Sequence, residues 1–383
     1  MSSVSNAFLS EQEVMIRESA RRVATEVVAP TAAERDRTGA WPRDEIQTVA
    51  EVGFMGMLAP QEYGGSGSTF VEYCLAIEEF AAADGGFATM MHVHNSTAHV
   101  LKSSGSDAQK QQYLPDLASA KRIGAFLLSE PHAGSDTAAI RTTARRDGDS
   151  YVLNGSKQWI SNGNEAGFAF VVAVTGERGK RDAISLFVAD PKDPGYESVR
   201  VEDKLGQRTA HTAQIRLNNM RIPAANLIGE EGRGYGKALG LLSDGRVAIA
   251  ALSIGIARAA MEAAISYAKD REAYGKPITA LQAVSFDLAE MAMQIDVARQ
   301  YMLYAARLID AGLPNVKEAS IAKLYASEMA EKVCSDALQI HGGYGYVNDF
   351  PVERYYRDVR VTKIYEGTSH IQKLIIARQI LAE

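Results

Sequence analysis

The order of sequence texture along the chain predicts an α+β protein in three parts: helical, then a small antiparallel β region, then helical again. Three observations carry this reading. Apolar residues recur at helical spacing near the N-terminus, a valine-, threonine- and glycine-rich texture takes over from about residue 120 to 230, and a helical period resumes after Gly236. The expected divisions are 1–119, 120–232 and 233–383.

In the first part, Ser10 followed by Glu13 forms a capping box, and Ile16, Ala20, Val23 and Val27 share one helical face until Pro30, where the helix is expected to stop. The segments EYCLAIEEFAAA and DAQKQQYLPDLASA continue the helical style, with Gly64, Gly65 and Gly67 marking a loop before them. In the middle part, YVLNG, FAFVVAV, AISLFVAD and AQIRLNN read as strands. Asn154-Gly155 is expected to form a hairpin turn, because both central positions of that turn favour positive φ. In the last part Leu288, Met291, Ile295, Ala298, Met302, Ala305 and Ile309 recur at steps of three and four, a seam suited to a bundle core or a subunit contact.

Composition narrows the function. The chain has 383 residues, 46% hydrophobic and 23% charged, enough to bury one large core or two to three smaller ones. Its formal charge of −6 supplies no basic field for nucleic acid or an anionic membrane surface. Cys74 and Cys334 stand far apart without a CxxC pair, which points to buried thiols in a reducing compartment. The start, MSSVSNAFLSEQE, lacks the basic head and apolar run of a signal peptide, so a cytoplasmic protein is expected. The apolar stretch from Val247 is interrupted by Arg258 and Glu262, short of the roughly 20 residues a bilayer needs, and no membrane insertion is expected.

Several motifs fail. GEEGRGYGKALG at 229–240 has Lys237 where a dinucleotide loop needs glycine, and Glu231 and Ala238 where a phosphate loop needs glycine and a hydroxyl. His92, His94 and His99 have no carboxylate or cysteine signature beside them, and an HxH pair on a helix points two ways, so no metal is expected. No GxSxG is present. Chemistry supplied by an organic cofactor is the better expectation.

Four segments, AFLLSEPHAGSDTAAI, NGSKQWISNG, DALQIHGGYGYVNDFPVERYYRD and IYEGTSHIQ, together resemble the acyl-CoA dehydrogenase family across essentially the whole chain. The resemblance implies a C-terminal four-helix bundle, FAD as cofactor, an acyl-CoA substrate, an electron-transferring flavoprotein as electron acceptor and a homotetramer. It implies that Phe126, Leu128 and Ser129 lie along the flavin ring, that Trp159, Ile160 and Ser161 pack beside it, and that Ser135 touches the CoA moiety. It places Arg271 on the FAD pyrophosphate and adds Gln282, the Gln339, Gly342 and Gly343 turn, Thr368 and Ser369 as cofactor contacts, some reaching a neighbouring subunit. Ser243, Arg246 and Gly367 fall at substrate positions.

The family carries its base at one of two positions, here Glu366 and Gly245, and only Glu366 can accept a proton. Two departures stand out: Ser243 where an aspartate is common, and His370 where Glu or Gln is commoner. The expected reaction is α,β-dehydrogenation of an acyl-CoA thioester to the trans-2-enoyl-CoA. Alternative readings are a flavin oxidase or monooxygenase of the same fold, or a non-catalytic acyl-CoA- or flavin-binding protein. The polar His92, His94, Ser96 and Thr97, taken as lining the distal acyl pocket, lead to an expectation of short or branched acyl chains.

Overall fold

The computed structural model describes residues 8–382, apart from the side chains of 241 and 242. The first seven residues, on which the expectation of a leaderless N-terminus partly rests, lie outside that range. Helices α1 (Glu11–Val23), α2 (Ala32–Thr38), α3 (Arg43–Glu51), α4 (Phe70–Ala83), α5 (Gly85–Ser104) and α6 (Asp107–Ala118) form the first part. The Ser10 hydroxyl accepts from the Glu13 backbone and the Glu13 carboxylate from that of Ser10, so the capping box forms as expected. Pro30 does not end the helical path. A π-helical turn, Ala24–Val28, and a 3₁₀ turn, Ala29–Thr31, carry the chain straight into α2. Proline cannot donate to the carbonyl four residues back, and the wider turn before it, with the Ala29 N–H on the Ala24 carbonyl, accommodates the ring.

The middle part is one seven-stranded sheet of β1 (Gly124–Leu127), β2 (Thr143–Asp147), β3 (Ser150–Ser161), β4 (Phe168–Val174), β5 (Ile184–Ala189), β6 (Tyr196–Val201) and β7 (Thr212–Pro223). It is mixed, not purely antiparallel: β1 runs parallel to β4, and β2 touches β4 in parallel at Thr143 and Val174. Every residue of β4 is buried, as a strand covered on both faces requires.

The Asn154-Gly155 hairpin does not form. Both residues lie inside β3, and the two-residue turn is Gly148-Asp149, between the paired ends Asp147 and Ser150. Gly155 serves close approach: a Cβ there would sit 2.3 Å from Thr142 Oγ1 and 2.7 Å from its Cα.

The last part holds α7 (Gly234–Asp270), α8 (Gln282–Asp310), α9 (Val316–His341), α10 (Val352–Val359) and α11 (Ser369–Ala382). On α8, Met291, Ile295, Ala298, Met302 and Ala305 are buried, so the heptad-like seam faces the core. Helix α7 is long and apolar enough to cross a membrane by length and composition, yet 78% of its apolar window is buried within the protein. It packs against α4 because Gly255 lets it come close; a Cβ there would be 2.2 Å from the Glu78 carbonyl oxygen. Around that contact Glu78 meets Arg258 and Arg299 at 3.2 and 2.8 Å, and Glu79 meets Arg21 at 2.8 Å. Both cysteines are free and buried.

Gly155→Ala is expected to lower stability by about 1–3 kcal/mol, since strand and loop backbone must separate to admit the methyl group. Arg216→Ala, on the exposed side of the paired strand β7, should change little. Thermal unfolding of the two variants against the parent checks this.

Candidate active site

Glu366 lies between a 3₁₀ turn, Arg360–Lys363, and α11, in left-handed backbone conformation with φ +53°, followed by Gly367 at +92°. This turn projects the carboxylate inward, where α4, α5, α7 and α9 meet. A Cβ on Gly245 of α7 would stand 3.1 Å from Glu366 Oε2 and 3.5 Å from His92 Nε2, so the missing side chain there keeps the space open. His92 of α5 approaches from the other side, its Nε2 3.9 Å from Glu366 Oε1, and its Nδ1 lies 3.0 Å from the Tyr73 hydroxyl of α4.

Electrostatics make this carboxylate unusual. Glu366 Oε2 is buried without a hydrogen-bond partner. Removal from water pushes the group up to about 7, with the nearby cations Arg246 and Lys323 restraining the rise. Burial lowers His92 to about 4, so it faces Glu366 as a neutral imidazole at neutral pH. A carboxylate in this state can take a proton from a weak carbon acid near neutrality.

Beside it, the β domain presents an aromatic and polar edge. Phe126 is half-buried and meets Phe170 edge to face, Leu128 is buried, and the half-buried Ser129 accepts the Gln158 backbone N–H on its carbonyl. Trp159 sits at φ +63° where the β3–β7 register breaks, and 62% of it is exposed, so a flat indole stands free of the sheet. Ile160 is buried in the sheet core and leaves only its backbone for a ligand, while Ser161 is half-buried and pairs with Thr212. Ser135 is exposed in the loop after β1. At the start of α11, Thr368 Oγ1 accepts the Ile371 N–H and Ser369 Oγ is buried without a partner. An unstacked indole, an unpaired hydroxyl and a helix N-terminus fit a planar cofactor with an anionic tail.

A second group of expected residues gathers elsewhere. Arg271, exposed at the end of α7, lies 6.0 Å over the Tyr344 ring, and Tyr267 of the same helix end stacks on His341 at 4.4 Å. Gln339, Gly342 and Gly343 are exposed at the end of α9, and Gln282 opens α8. Arg271 is 26 residues along α7 from Gly245, roughly 39 Å at helical rise. One chain therefore holds the two groups of expected residues far apart along one helix.

A third group borders the first. Ser243 is buried and donates to Asn315 Oδ1 at 3.3 Å, and Asp244 meets His99 Nε2 at 3.2 Å. These four line a cavity of about 370 Å³ between α5, α7 and the start of α9. Arg246 is buried, and desolvation lowers its proton affinity although Glu366 and Asp244 work against the fall.

The polar α5 residues do not act together as an acyl-pocket lining. His94 and Thr97 face the β domain: the His94 ring bonds the Leu117 carbonyl and the Gly124 N–H, and Thr97 Oγ1 bonds the His94 carbonyl. Of the four, His92 turns its Nε2 toward Glu366, while Ser96 contacts the other ring nitrogen of His92 at 3.4 Å. Alternation around the helix separates residues two apart.

Sequence reasoning missed four residues. Tyr73 supports His92, and Lys157 is fully buried beneath the aromatic edge, its Nζ donating to the Leu128 and Val172 carbonyls and to Glu130. Lys323 and Gln372 donate to the Gly367 carbonyl. The available signal for Lys323 was a lone cation on the apolar face Ala319, Ala322, Ala326 and Ala330 of α9.

Three family models match in order: acyl-CoA dehydrogenase N-terminal domain at 10–121, middle domain at 125–220 and C-terminal domain at 232–381. The short-chain specific acyl-CoA dehydrogenase of Mus musculus mitochondria is 42% identical, over 97% of this chain and 91% of that protein. The butyryl-CoA dehydrogenase structure from Megasphaera elsdenii superposes with a TM-score of 0.95 at 37% identity, covering 97% of this chain and 99% of that one. A glutaryl-CoA dehydrogenase from Mycobacterium smegmatis in complex with FADH2 gives 0.92 at 30% identity, covering 98% and 96%. With three domains matched in order and relatives aligned over nearly its full length, the chain belongs to the acyl-CoA dehydrogenase family of oxidoreductases.

Proposed function

We propose that the protein converts a short acyl-CoA thioester to its trans-2-enoyl-CoA, with Glu366 taking the α-proton. The observation that carries this is the Glu366 carboxylate: desolvated, raised to about 7, and with Oε2 unpartnered toward the space left by Gly245. FAD, when bound, supplies the acceptor for the β-hydride. Phe126, Leu128, Ser129, Trp159, Ser161 and the Ile160 backbone would hold its ring, with Thr368 and Ser369 beside it. The Glu366 backbone N–H would polarise the thioester oxygen, and Gly367 would let substrate approach the turn. Ser135, Ser243 and Arg246 would face the CoA portion.

Arg271, Gln282, Gln339, Gly342 and Gly343 would complete the FAD site of a neighbouring subunit, since their end of α7 is roughly 39 Å from Gly245. A homotetramer that passes electrons to an electron-transferring flavoprotein follows from this reading, as does a three-domain division at 119/120 and 232/233. A preference for short chains is supported by the relatives named for short-chain and butyryl substrates and by the polar His92 beside the base.

Glu366→Gln should retain flavin and acyl-CoA binding but lose flavin reduction by about two to four orders of magnitude. In the parent, reduction should rise with pH through about 7 and level above it, because only the deprotonated carboxylate accepts the α-proton. Anaerobic stopped-flow bleaching of the flavin measures both. Comparing kcat/KM for butyryl-, isobutyryl-, octanoyl- and palmitoyl-CoA tests the chain length, with the maximum expected at one of the four-carbon substrates. Arg271→Ala should reduce flavin content and loosen the oligomer together, read from the flavin-to-protein absorbance ratio and gel filtration.

A further inference from the structure

The backbone that presents Glu366 is held in an unfavourable shape by two side chains that the chemistry above does not use. A non-glycine residue in left-handed conformation crowds its Cβ against the following carbonyl oxygen, and Glu366 is one at φ +53°. The Lys323 Nζ, on a side chain with no exposure, donates to the Gly367 carbonyl at 2.7 Å. Gln372 Nε2, also buried, donates to that carbonyl at 2.9 Å and to the Glu366 carbonyl at 3.1 Å. The turn and its tethers are matched in shape, because a Cβ on Gly367 would lie 2.5 Å from Gln372 Nε2.

We propose that Lys323 is a positioning residue for the base: its buried side chain, tethered to the Gly367 carbonyl, clamps the Glu366–Gly367 turn in the left-handed form that aims the carboxylate and brings a cationic group to that turn. The proposal rests on Glu366 being the base.

Several titratable groups surround Glu366: Tyr73 from α4, His92 from α5, Arg246 with Asp244 beside it from α7, Lys323 from α9, and Tyr365 on its own segment. Burial raises both tyrosines and lowers His92, which leaves all three uncharged near neutrality. Arg246 and Lys323 are then the cations acting on the carboxylate. Of these, Lys323 also grips the turn. Burial pulls its own proton affinity down to about 7 although Glu366 pushes against the fall, so the two groups titrate together near neutrality. An uncharged side chain could supply the tether but not the charge, which makes the two contributions separable.

The test uses the full-length, FAD-loaded enzyme, with anaerobic flavin reduction by butyryl-CoA followed across neutral pH. Lys323→Met should move the controlling pKa up by about one unit and lower the limiting rate about 10- to 100-fold. Lys323→Arg should keep the parent pKa. Gln372→Leu should slow reduction without moving the pKa, since it removes a neutral tether only.

If Lys323→Met fails to assemble with flavin, Lys323→Gln is read in its place. An unchanged pH profile in a flavin-loaded charge-removing variant overturns the proposal, and so does failure of both variants to assemble, which would make Lys323 a residue of folding alone. Substantial turnover in Glu366→Gln would instead overturn the assignment of the base, so the two failures are told apart.

Discussion

Keeping one carboxylate out of water yet able to take a proton is the constraint on which the rest of the structure turns. Desolvation raises the proton affinity of Glu366, and with no compensating charge the group would stay protonated and unable to accept a proton. The solution is partial. Two cations stand near, Oε2 is left unpaired, and the facing imidazole is kept neutral by its own burial. Four helices must converge to enclose such a group, and the packing of α7 against α4, α5 and α9 has that outcome.

The same core contains a carboxylate treated in the opposite way. Burial pushes Glu78 up as it does Glu366, but Arg299 and Arg258 in direct contact outweigh it and hold Glu78 below the usual carboxylate range. One glutamate is thereby locked in its charged form as a strut joining α4, α7 and α8. The difference lies in contact: Glu78 is gripped by guanidinium groups, whereas no hydrogen bond satisfies Glu366 Oε2. Side-chain type therefore says little about role without its partners.

Much of this was legible in the sequence. The helix–sheet–helix order, the Ser10 cap and the α8 seam follow from local periodicity, and the four resembling segments named Glu366, Trp159 and Ser369 as candidates. Strands β2 and β6 were not legible, because TARRD and YESVRV are charged edge-like segments without alternation strong enough to stand out. Asn154-Gly155 misled because glycine there answers a tertiary approach by Thr142, which no local rule reveals. Lys323 and Tyr73 act through residues far away in sequence, so their roles emerge only once α4, α9 and the Glu366 turn are brought together. The separation of Arg271 from Glu366 was implicit in helix length, but only an unbroken α7 makes it a distance.

That unbroken helix has a genetic consequence. A chain defective at its Glu366 end still carries an intact Arg271 end, and the reverse holds for a chain defective at Arg271. In an assembly where each site borrows from two chains, two individually inactive alleles expressed together would rebuild some wholly intact sites, whereas either allele mixed with the parent would disable only its own share of sites. Complementation between alleles, without interference with the parent, would then be the signature of a single rigid rod.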